Sequence, residues 1–186
     1  MKNSILSVIL ILFVSTVSAQ ADFVAVNMYN YSSIQAKTFR PMIVSFGSDS
    51  IAPRVSFNWF AMTTPDFTEG LVGFGTQLSS RWSGNAVVGI ENHPGLLRGQ
   101  VNLIRATQKS FLLVSGEYGV SGYWYMSLFH TPITKNIRAG AFVRRFEGIG
   151  PYAELAFGKC KAWVAPVLYN HETHVFGTEF GLRINL

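Results

Sequence analysis

The chain has 186 residues, the size of one domain, yet only 13% are charged while 14% are aromatic. Soluble domains usually carry about a quarter charged residues, so this chain either buries a large core or faces something other than water. The formal net charge is +5, but the basic residues are scattered (Arg40, Arg54, Arg81, Arg105, Lys135, Arg144, Lys161) and form no stripe suited to nucleic acid. Cys160 is the single cysteine, which excludes an intrachain disulfide framework.

Residues 1–19 read as a secretory signal peptide. Lys2 precedes an apolar run over 5–17, and Val17-Ser18-Ala19 supplies the small residues of a cleavage site. That run is too short to span a bilayer core as a helix. The remainder, 20–186, reads as one β-barrel domain with no helix, linker or low-complexity tract.

In chain order, 22–32 is a first strand, 33–40 a polar connection and 41–47 a short second strand, with Gly47-Ser48-Asp49-Ser50 as a turn signal. Over 51–62, Val55, Phe57, Trp59 and Ala61 oppose Arg54, Ser56, Asn58 and Phe60. Residues 63–69 form a loop, and 70–82 alternate again. Further segments cover 84–91, 98–106, 110–119, 122–130, 137–146, 150–158, 160–169 and 174–186. Side chains alternate between the two faces of a strand, so each segment presents one oily and one polar side. The count is about twelve strands of about ten residues, ten being the alternative, each long enough to cross a membrane when tilted.

The expected fold is all-β: an antiparallel up-and-down transmembrane β-barrel. Arg54, Arg81, Glu91, Glu117, Arg138, Arg144, Glu154, Lys161, Glu179 and Arg183 fall on the polar side and are expected to line the lumen. Val72, Phe74, Val88, Ile90, Val101, Leu103, Trp124, Met126, Leu128, Leu155, Phe157, Phe180 and Leu182 fall on the oily side. The same alternation fits a soluble barrel with its oil turned inward and a small apolar ligand inside. Two features favour the membrane. The polar side is thin in charge and rich in Gly, Ser, Asn and Gln, and Trp59, Trp82, Tyr118 and Trp124 sit where an aromatic girdle belongs.

The leader, the repeated ten-residue alternation and the last strand, FGTEFGLRINL, resemble bacterial outer-membrane β-barrel proteins as a class. Phe180, Leu182 and Ile184 match the apolar positions of that class's final strand; Leu186 stands where the class usually has Phe. The resemblance implies the outer membrane as location, with membrane lipid and the barrel-insertion machinery as partners. It names no single family.

Candidate chemistry is sparse. His171-Glu172-Thr173-His174 places two histidines three residues apart in a hairpin loop with no third ligand evident beside them, and zinc needs three or four placed ligands, so no metal or cofactor is expected. Ser50 and His130 fall at one end of the barrel and His93, His171 and His174 at the other, so no catalytic set forms and no enzyme activity is expected. The connections at the proposed outer end are short, which disfavours a large protein partner. The expected lumen set has six basic and four acidic side chains, and inward glycines such as Gly73, Gly89 and Gly140 are expected to leave room for water. A small passive pore for polar or anionic solutes follows. A sealed structural barrel stays open beside it, as does, more distantly, a lipid-modifying barrel enzyme. Oligomeric state is not legible.

Overall fold

The computed structural model describes residues 23–33, 38–169 and 176–185, with side chains from Pro41 onward. The leader segment 1–19 and the His171–His174 cluster lie outside these residues. Twelve strands follow one another in sequence: β1 Phe23–Ser33, β2 Thr38–Ala52, β3 Val55–Thr63, β4 Thr68–Gln77, β5 Trp82–Glu91, β6 Leu97–Ala106, β7 Phe111–Gly119, β8 Gly122–Pro132, β9 Ile137–Arg144, β10 Gly148–Phe157, β11 Cys160–Val167 and β12 Gly177–Asn185. Each pairs antiparallel with its neighbours, and β1 pairs with β12, from Ala25 opposite Asn185 to Ser32 opposite Thr178. The sheet therefore closes into a barrel with no free edge. The expected up-and-down barrel of about twelve strands is the fold observed.

The outer face is apolar. Phe74, Val88 and Val101 are more than 60% exposed, and Leu155, Phe180 and Leu182 accompany them. Trp82 stands on this face at one rim, while Tyr118 and Tyr123 stand on it at the other.

The first hairpins differ from the sequence reading. Gly47-Ser48-Asp49-Ser50 is no turn: β2 runs on to Ala52, and the chain reverses at Pro53-Arg54, where Arg54 has φ 65°. A ladder to β3 with one irregularity near Ser50 extends the strand past the turn-forming residues. Likewise β4 ends at Gln77, so Arg81 lies in the turn before β5.

Two of the four proposed girdle residues also lie away from the outer rims. Trp59 keeps the outer face, opposite Val72 of β4, but stands midway along β3 and is 2% exposed, its ring against its cross-strand partner Gly47. Trp124, with Met126 and Leu128, faces inward. Glu117 is inward and pairs directly with Trp124, and directly paired residues share a face. Alternation could not reveal this, because Tyr123, Tyr125 and Phe129 make the other face of β8 just as apolar.

Inward glycines mark corners more than open water. A Cβ on Gly73 would lie 2.1 Å from the Ala86 carbonyl oxygen, and one on Gly140 would lie 1.8 Å from that of Phe129. Gly89 and Gly150 are as crowded. Neighbouring backbone fills the space that a side chain would need. The sheet bends sharply at β4–β5 and again at β9–β10, five strands further round, as glycine kinks do in closed sheets.

Candidate functional site

The site is the barrel interior, and its chemistry is divided along the axis. One end carries the turns at 53–54, 78–81, 107–110, 133–136 and 158–159; the other carries the loops at 64–67, 92–96, 120–121 and 145–147.

At the loop end one guanidinium meets three carboxylates. Arg98 Nε lies 2.7 Å from Glu69 Oε2 and donates to Glu117 Oε2 at 2.8 Å, while Nη1 donates to Glu91 Oε2 at 2.9 Å. Ser121 completes the group, donating from its backbone N–H to Glu91 Oε1 and from its hydroxyl to Oε2, at 2.8 and 2.7 Å. Glu69, Glu91 and Glu117 are inward positions of β4, β5 and β7, brought level by the hairpin registers. These side chains are buried and fill this part of the barrel. Nearby, Arg144 on β9 donates to Glu179 on β12 at 2.8 Å, and its guanidinium lies 5.8 Å from the Trp124 ring centre.

Towards the turn end the balance reverses. Three cations surround one carboxylate: Arg138 Nη1 is 2.6 Å, Lys161 Nζ 3.6 Å and Arg183 Nη1 3.9 Å from the oxygens of Glu154. Tyr152 adds its hydroxyl at 2.9 Å. Arg138 opposes Glu154 in the β9–β10 ladder, and Lys161 opposes Arg183 in the β11–β12 ladder. The register alone therefore makes the cluster. Glu154 is buried beneath the cations, which keep part of their surface open.

Between the two clusters lies a cavity of about 580 Å³. One wall, from β7 to β11, is apolar and carries Phe111, Leu113, Leu128, Phe142 and Trp163. The other carries Asn58, Asn85 and Asn102 among Phe60 and Met62. Asn102 donates to Asn85 Oδ1 at 2.7 Å and to Gln100 Oε1 at 2.9 Å, and Gln100 donates in turn to Glu117. This amide chain is anchored on the loop-end cluster.

The lumen positions proposed from sequence can now be placed. Glu117, Arg138, Arg144, Lys161, Glu179 and Arg183 border the cavity. Glu91 and Glu154 lie buried within the two ion clusters. Arg54 and Arg81 are exposed in turns, outside the strand ladders. Sequence reasoning misses the centre of the loop-end cluster: 63–69 reads as a loop that ends on Glu69, and Arg98 stands at the very start of its segment, where alternation is weakest. The signal was present. Arg98 shares parity with Gln100 and Asn102, and Glu69 shares it with Gly73 and Gln77.

No protein-family model matches the chain, and no curated protein matches it in sequence. Its fold, however, is that of known porins. The KdgM porin superposes with a TM-score of 0.58 at 10% identity, covering 86% of this chain and 98% of that one. The KdgM porin in complex with disordered oligogalacturonate gives 0.56 at 11%, with the same coverage. The NanC porin gives 0.50 at 8%, covering 87% of this chain and 98% of that one. At such identities the likeness is one of fold.

Proposed function

We propose that this protein is a passive pore of the bacterial outer membrane for small polar or anionic solutes. The observation that carries the reading is the cluster of Arg138, Lys161 and Arg183 around the single carboxylate of Glu154, at the border of a lumenal cavity. A local excess of positive charge raises the concentration of anions in a low-dielectric channel and eases their passage. The fold of the KdgM and NanC porins supports the reading, and one of them is named in complex with oligogalacturonate. The apolar outer face, with aromatic residues at both rims, suits contact with lipid. Residues 1–19 then act as the export signal, and the last strand as the element recognised by the insertion machinery.

Recording in a planar bilayer tests the proposal. Discrete conductance steps with anion preference are expected, and Lys161→Glu with Arg183→Glu is expected to reverse or abolish that preference. A second reading, a sealed structural barrel, is favoured by the buried Arg98 cluster filling the loop end. A folded, inserted protein that never conducts would decide for it.

A further inference from the structure

We propose that the interior holds a binding site for a planar aromatic anion, an arylcarboxylate or arylsulfonate, where its aromatic wall meets its basic cluster. The inference deepens the pore reading, on which it rests only in that solutes must reach the lumen.

The first observation is a ladder of four rings. Phe111 and His130 stack with centroids 4.9 Å apart and planes 14° apart; His130 and Tyr152 follow at 5.9 Å and 19°, and Tyr152 and Trp163 at 6.0 Å and 30°. These residues stand on β7, β8, β10 and β11, so the stack crosses β9. It can do so because His130 and Tyr152 both pair with Gly140, which has no side chain to part them. All four rings line the cavity, side by side along its wall. Ring edges carry the positive side of the aromatic quadrupole, which attracts the π-face of another ring or an anion.

The second observation is the adjoining charge. The ladder is tied to the cations through Tyr152, whose hydroxyl donates to Glu154. Arg138 and Lys161 both line the cavity and share that carboxylate with Arg183. Such cations also favour an aromatic face lying over them.

The third observation is the cavity. At about 580 Å³ with largely apolar and aromatic walls, it has the size and character of a small-molecule site. His130, 9% exposed, lines it as part of the ring ladder. A hydrophilic anion would answer the cations and leave the apolar wall facing its hydration shell. A neutral apolar solute would answer the wall and leave the charge unmatched. An aromatic anion answers both.

Isothermal titration of the protein in nanodiscs tests this, with empty nanodiscs subtracted. The probe is 2-naphthoate, with 2-naphthamide as its uncharged analogue and gluconate as an anion without a ring. Saturable binding of 2-naphthoate is expected, at least tenfold tighter than of either control and at least tenfold weaker in Arg138→Gln/Lys161→Gln. Equal binding of 2-naphthamide or gluconate, or no saturable binding of 2-naphthoate, would overturn the proposal. If the double variant does not fold, the comparison of the three ligands decides alone. Conductance of the same preparation separates the two readings. A protein that conducts without binding 2-naphthoate loses the site and keeps the pore; one that binds without conducting loses the pore and keeps the site.

Discussion

Replacing Arg98 by leucine is the most direct probe of what holds the loop end together. The guanidinium serves Glu69, Glu91 and Glu117, whose side chains are 0%, 0% and 2% exposed. Removing one partner of a buried ion pair typically costs about 3–5 kcal/mol, because the other charge stays buried and uncompensated. Glu91 would keep its two bonds from Ser121, and Glu117 its bond from Gln100. Glu69 accepts no aligned hydrogen bond among the described residues, so most of the cost should fall on it. Arg98→Leu is therefore expected to lose about 3–5 kcal/mol, and Arg98→Leu/Glu69→Gln to recover about 2 kcal/mol of that, within the range of couplings between contacting residues. With a urea slope of about 2 kcal/mol/M, the single variant's unfolding midpoint should drop by roughly 1.5–2.5 M. The assay is urea unfolding of the reconstituted barrel, followed by tryptophan fluorescence. A drop below about 0.5 M, or a double variant less stable than the single, would refute the view that Arg98 neutralises this group.

Three further outcomes test other parts of the structure. Gly140→Ala would place a Cβ 1.8 Å from the Phe129 carbonyl oxygen and is expected to prevent formation of the folded, heat-modifiable species on gels, whereas Gly116→Ala, with nothing within 4 Å, should fold normally. Leu128→Ala should cost about 2–5 kcal/mol in the same urea assay if the side chain packs with Phe142 and Tyr152 inside the barrel; a loss well under 1 kcal/mol would return it to the outer face. Val101→Arg, at a 64% exposed outer position midway along β6, should cost about 2–4 kcal/mol when the barrel refolds into a bilayer. An unchanged stability there would argue against lipid around that face.

Alternation is a local property of an extended backbone, and it is readable wherever one face of a strand is polar. For that reason β4, β5, β6, β10 and β12 disclosed their inner faces through Gln77, Glu91, Gln100, Glu154 and Glu179, and a closed antiparallel barrel of about twelve strands was legible from the chain alone. Where both faces are apolar the signal vanishes. In β8, Trp124 and Leu128 were turned inward only by pairing with the inward Glu117 and Leu113 of β7. Turn composition proved weaker than pairing at Gly47-Ser48-Asp49-Ser50, because a ladder to β3 satisfies backbone groups that a turn would leave exposed. The charges make the same point. Alternation gives a residue its face; the register between strands gives it its level along the axis, and level decides which charges meet. Glu91 and Ser121 are thirty residues apart, and Arg144 and Glu179 thirty-five. Only the closed sheet, bent at its glycine corners, brings them within hydrogen-bond reach and separates a carboxylate-rich end from a basic one.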